Sequence, residues 1–198
     1  TKTNYNLNFM KLFHSLIIWL TYLSPFMFYP LFILPIGERY EYGVNFGTIG
    51  LLLFILTLIP SIIQRLGLTK DFNLITKLLT PVRRQLGILM FMAAFTHYLA
   101  LKVIPTLQFS LPPSLPPYQA FGLLALILSF AMFITSNNWA VRKLKANWKR
   151  LHRVTYVVGW LIFGHVILQG VSWQAITIGV VMIIEVASLI KAKVNVFA

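Results

Sequence analysis

Cysteine is absent from this chain, and acid is nearly so: among 198 residues there are only 4 Asp plus Glu. The missing thiols exclude disulfides, thiolate zinc sites, iron–sulfur clusters, cysteine nucleophiles and covalent c-type haem attachment. Charge of either sign is scarce, at 11% of residues, against roughly 25% in a soluble domain. With 58% hydrophobic and 15% aromatic residues the chain is neither a water-soluble globule nor disordered. The 17 Lys and Arg give a net charge of +13, which by itself suggests a nucleic-acid binder. Their positions point elsewhere.

Spanning a bilayer core of about 30 Å takes about 20 apolar residues in helix. Six runs qualify: Leu12–Leu34, Val44–Ile63, Leu86–Ile104, Gln119–Ile134, Val154–Val171 and Trp173–Ile190. Pro25, Pro30 and Pro35 predict a kink in the first. That run is too long for a signal peptide and lacks a small-residue cleavage site. The chain opens on Thr, so residues are expected to precede it. No fixed-period repeat is evident, and residues 1–198 read as a single transmembrane domain. Fifteen of the 17 cations fall before span one, between spans two and three, between four and five, or after six. Arg39 and Lys102 alone lie on the other side. By the positive-inside rule both termini and the two basic loops face the cytoplasm, so no nucleic acid is needed to explain the charge. The fold class expected is an all-α integral membrane bundle of six helices. The Ser110–Pro117 stretch between spans three and four reads as an extended connector.

Ionisable groups inside spans are costly, so each is a candidate for function. All four histidines (His14, His97, His152, His165) map into a span or to its edge, and Glu185 lies inside the sixth. In lipid, without thiolates or a carboxylate cluster, imidazole suits haem iron. His97 and His165 each lie thirteen residues past a basic inner edge, so on two parallel helices they reach matching depth, about 20 Å in. They are the candidate axial pair of a b-type haem. His152, at the inner start of span five, is a candidate ligand of a second haem, opposite Arg83 or Arg84 rather than a histidine. His14 lies at the depth to supply that missing ligand, although an interfacial role also fits it. For every one of these histidines an interhelical hydrogen bond is the plainer alternative. His152 and His165 sit about 140° apart on an ideal helix, and Gly159 and Gly164 could permit the irregularity that aligns them. Glu185 reads as the partner of a basic residue or a proton-handling group. Residues 137–153 read as a basic interfacial helix with Trp139, Leu144, Trp148 and Leu151 on one side, suited to anionic lipid or an acidic donor. Tyr118, Trp139, Trp148 and Trp173 fit interfacial belts.

Two stretches carry a resemblance: Arg83-Arg-Gln-Leu-Gly-Ile-Leu-Met-Phe-Met-Ala-Ala-Phe-Thr-His97, and Thr135-Ser136 through Arg142-Lys-Leu and Trp148-Lys-Arg-Leu-His152 to His165. From about Asn45 to Gly170 the chain resembles the ferric-reductase-like transmembrane family. Within it the nearest branch is the haem-binding membrane subunits of bacterial periplasmic methionine sulfoxide reductase systems (MsrQ type). The resemblance implies a six-helix b-type cytochrome binding one or two haems in the bacterial inner membrane or a thylakoid-type membrane. His97, His152 and His165 match the family's iron ligands, and arginine (Arg83, Arg84) stands where longer relatives have a fourth histidine. Electrons would come from a cytoplasmic flavin reductase or quinol, with FMN or quinone brought transiently by a partner. They would leave to a periplasmic or lumenal acceptor such as a methionine sulfoxide reductase. Since no flavin or NAD(P) domain is evident, the chain is expected to serve as a subunit rather than a complete enzyme. Lys145 departs from the family pattern, which has glycine there, and the proline-rich connector is not a family signature. The alternative is a structural or assembly subunit of a larger respiratory or photosynthetic membrane complex, with haem reduced or lost. A transporter using Glu185 and the histidines as a proton relay is a third, weaker reading.

Overall fold

A computed structural model describes residues 2–103 and 115–197, and among them every regular element is helical. The expected connector therefore has its residues 110–114 outside the described residues.

Helix α1 (Lys2–Leu23) gives way to a 3₁₀ turn (Ser24–Phe28) and a four-residue helix, α2 (Pro30–Ile33). The prolines account for this: each lacks an amide donor, and Pro35 pushes the residue before it away from helix. Leu34, preceding Pro35, is extended. Helix α3 (Ile36–Leu66) runs through Pro60 and stops at Gly67, whose φ of 76° forms a left-handed cap. Helix α4 (Asn73–Tyr98) passes into a π-helical turn at Leu99–Val103. After α5 (Pro117–Ile134) come two short helices, α6 (Asn138–Leu144) and α7 (Ala146–His152). They precede α8 (Thr155–Ile167) and the long α9 (Trp173–Phe197).

Five segments are long and apolar enough to cross a membrane: Asn8–Ile33, Gly37–Leu66, Asn73–Val103, Pro117–Ile134 and Trp173–Val194. The chain is thus a multi-pass membrane protein. The expected fifth span differs. Its helix has only 13 residues, about 20 Å of rise against a ~30 Å core. The expected interfacial helix differs too, because it breaks into α6 and α7 at Lys145, where φ is 49°. Arg83 and Arg84 lie inside α4 rather than in a loop.

Phe54 and Leu58 of α3, Val158 of α8, and Ile178 and Met182 of α9 form the fully buried centre. Met90 of α4 and Ala125 and Met132 of α5 extend it. Between apolar helices in lipid, close packing rather than the hydrophobic effect holds elements together, and small residues permit the approach. Gly159 is such a residue: a Cβ there would collide with Met182 and meet Phe54. So Gly159 is a packing position in an unbroken helix, not the irregularity expected from the sequence. The break falls between α7 and α8, at Arg153 and Val154, one residue past His152. Two antiparallel partnerships, α3 with α4 and α5 with α8, dominate the bundle.

Candidate functional site

His97 sits one residue before the end of α4, at the entry to the π-helical turn, a distortion that recurs at functional sites. His165 occupies the last turn of α8. Their ring centroids are 6.2 Å apart, with planes at 84°. Each ring is held from behind by a backbone carbonyl: His97 Nδ1 lies 2.8 Å from the Gly43 oxygen, and His165 Nδ1 lies 2.7 Å from the Tyr118 oxygen. A carbonyl only accepts, so both Nδ1 atoms donate, and each neutral ring keeps its lone pair on Nε2. The Gln169 amide nitrogen, a donor only, approaches His165 Nε2 at 3.3 Å, in keeping with that tautomer.

This donor set fits haem iron. Two metal–nitrogen bonds of ~2 Å would place a pair of axial imidazole centroids roughly 6 Å apart. Metal-ligating histidines characteristically donate their other ring nitrogen to a carbonyl or carboxylate. Among the described residues no group of three or more His, Cys, Asp or Glu side chains could hold a metal ion.

The third candidate faces a different space. A cavity of about 430 Å³, within the usual range for cofactor sites, is lined by His152, Arg83, Arg84, Lys149, Arg153 and Tyr156, among others. His152 stacks on Trp148 with centroids 4.1 Å apart, and its Nε2 is 3.3 Å from Thr135 Oγ1. Burial, with the Arg83 cation second, holds the His152 pKa below the usual imidazole value, so the ring is neutral at pH 7. Trp148 donates from Nε1 to the Thr135 carbonyl at 2.9 Å, which fixes it as a wall of this cavity. Trp139, by contrast, is exposed. Arg83 donates to Ser61 Oγ and Arg84 to Asn138 Oδ1, each at 2.6 Å, so both guanidiniums are anchored at the cavity edge.

His14 is elsewhere. Its Nε2 donates to the Leu78 carbonyl at 3.2 Å, tying α1 to α4, and it is not part of the cavity lining. The fold thus joins His97 with His165, surrounds His152 with cations, and leaves His14 apart. Glu185 has the basic partner expected of it: Arg65 reaches both carboxylate oxygens at 2.6 Å. Arg65 also donates to Ser188 Oγ and to the Tyr156 hydroxyl, each at 3.0 Å, joining α3, α8 and α9 beside the cavity. Sequence reasoning missed Arg65, Tyr156 and the carbonyls of Gly43 and Tyr118, and had Thr135 only as part of the resemblance, with no role. Thr and backbone groups carry no signal of their own, and Arg65 read only as one more inner-face cation.

Fold and site together define a multi-pass, all-helical membrane protein with a paired-histidine centre. The chain belongs to the family described as ferric reductase like transmembrane component, which matches residues 43–163, a stretch containing His97 and His152 and ending two residues before His165. Its relatives include proteins named protein-methionine-sulfoxide reductase heme-binding subunit MsrQ. The one from Brucella anthropi is 32% identical over 121 residues, covering 52% of this chain and 54% of the relative. The one from Rhizobium meliloti is 35% identical over 82 residues, 38% of this chain and 37% of the relative. That from Brucella ovis is 29% identical over 120 residues, 52% and 54% of the two chains. The chain spans about half the length of the curated relatives it matches, or less. No solved structure matches it significantly.

Proposed function

We propose that this chain is the b-haem membrane subunit of an oxidoreductase, carrying electrons across the bilayer. The observation that carries the reading is the His97–His165 pair, 6.2 Å apart with both Nδ1 atoms tied to carbonyls. The relatives' names, which describe haem-binding subunits of methionine sulfoxide reductase, support it.

Bound haem supplies one-electron redox chemistry. The residues do the rest. His97 and His165 would hold the haem iron through their Nε2 atoms, and their anchored Nδ1–H groups would raise ligand basicity and hold the ring orientation. His152 would be the ligand of a second haem in the cavity it lines, and Arg83 and Arg84, anchored at the same cavity, would balance that cofactor's acidic groups. His14 is left out of the proposed ligand set. Domain 1–198 forms one unit of six passes, α8 crossing as a short helix flanked by the turns on either side. Both termini and the basic loops face the cytoplasm of a bacterial inner membrane. The donor is a cytoplasmic flavin reductase or quinol, with FMN or quinone held only transiently, and the acceptor a periplasmic methionine sulfoxide reductase.

Purified protein is expected to show a low-spin b-type spectrum that His97→Ala or His165→Ala abolishes. Retention of the spectrum in both variants would falsify the assignment. One observation favours a second reading. Of the residues lining the inner cavity His152 is the one imidazole, a half-made ligand set that favours a structural subunit of a larger membrane complex in which haem is lost. Pyridine haemochrome stoichiometry separates the two: zero haem per chain supports the structural subunit, one or two the electron carrier.

A further inference from the structure

The two histidines of the pair are seated alike, on unrelated stretches of sequence. His97 of α4 donates to the carbonyl of Gly43, and four residues further along α3 stands Gly47. A Cβ on Gly47 would lie 2.7 Å from His97 Nδ1 and 3.0 Å from its Cε1. His165 of α8 donates to the carbonyl of Tyr118, and four residues further along α5 stands Gly122. A Cβ on Gly122 would lie 2.6 Å from His165 Nδ1 and 2.9 Å from its Cε1. Residues four apart share one helix face. Each imidazole therefore crosses a bare glycine and ends on the carbonyl one turn earlier, an oxygen that also accepts from the helix's own amide. No other side chain leaves this path open, because a real Cβ essentially never comes within 3.0 Å of a heavy atom outside its own stretch of chain.

We propose that Gly47 and Gly122 are positioning residues for the axial pair, each opening the path by which an imidazole reaches a helix carbonyl and is locked in the Nδ1–H tautomer with Nε2 left for a metal. The device deepens the haem reading and rests on it for the metal, but the seating itself is a property of the protein alone. It also gives the α3–α4 and α5–α8 pairs a shared construction that no repeat in the sequence announces. Alanine is ordinarily the better helix residue, so any loss on Gly→Ala at these sites reports the ring and not the helix.

The test is a double-mutant cycle on the full chain in detergent, read by thermal unfolding without added haem and by spectrum with it. Gly47→Ala is expected to lower the unfolding midpoint in the native background and to be neutral or stabilising when combined with His97→Ala. Gly122→Ala is expected to behave in the same way with His165→Ala. Gly50→Ala, one turn along α3, where the nearest atom would be at an ordinary 3.5 Å, serves as control: it is expected to leave the spectrum unchanged and to keep or raise the unfolding midpoint. In haem-loaded protein, Gly47→Ala and Gly122→Ala should each weaken haem retention about 10- to 100-fold and convert low-spin to high-spin absorption. If a single variant fails to accumulate, recovery of the corresponding double variant supports the proposal and continued failure overturns it. Equal cost in both backgrounds, or a spectrum like that of Gly50→Ala, also overturns it. A wild-type chain that binds no haem removes the electron-transfer reading, while the cycle still decides the seating.

Discussion

At the scale of single residues, Lys145 and His97 are legible to opposite degrees. Lys145 occupies the break between α6 and α7 with φ 49° and ψ −118°, a region in which a side chain is strained. The resemblance expects glycine at this position, and the backbone supplies the reason: a residue without Cβ adopts the turn freely. Lys145→Gly is therefore expected to stabilise the chain by about 1 kcal/mol, net of the extra entropy glycine has in the unfolded state. The readout is a rise of a few degrees in the unfolding midpoint, and no rise would show the strain to be relieved elsewhere. For His97 the residue type alone suggested a metal ligand, but its tautomer follows only from the Gly43 carbonyl, which lies 54 positions away in sequence.

Between elements, the Arg65–Glu185 polar clamp matters most. Glu185 is 1% exposed and Arg65 16%, so the pair is largely withdrawn from solvent. Removing one member of such a pair strands the other, typically costing roughly 3–5 kcal/mol, whereas replacing both with apolar residues of similar volume is often neutral. Glu185→Leu is expected to destabilise the α3–α9 contact strongly, and Arg65→Met combined with Glu185→Leu to recover most of the loss. Denaturation midpoints of the three variants check this; equal destabilisation in single and double variants would contradict it. Because Tyr156 hydrogen-bonds Arg65 and also lines the cavity, the single variant should alter the spectrum of any inner haem as well. The presence of a buried acid in span six was evident from hydropathy. Its partner was not, since 120 residues separate the two.

For the whole molecule the testable quantity is orientation. The chain contains no cysteine, so single-cysteine labelling needs no prior engineering. Asp71→Cys, in the exposed turn between α3 and α4, should react with an impermeant maleimide only in inside-out vesicles. Glu38→Cys, exposed at the start of α3, should react only in right-side-out ones. The reverse pattern would invert the topology and with it the direction proposed for electron flow.

Composition and hydropathy determined by themselves that the chain is helical, membrane-embedded and multi-pass, because the cost of leaving backbone polar groups unpaired in hydrocarbon allows few alternatives. Residue type and depth also singled out His97, His152 and His165, since an ionisable side chain in a span has to be compensated. Tertiary structure alone decided the rest. It placed the helix break at Arg153–Val154 instead of at Gly159 or Gly164, put Trp148 against His152, and left His14 on the Leu78 carbonyl. These outcomes depend on which atoms of distant segments meet at van der Waals distance, and a pattern along one helix contains no record of that. The same holds for Gly47 and Gly122: in the sequence they are two glycines among 11, and only the packing of α4 on α3 and of α8 on α5 puts an imidazole across each.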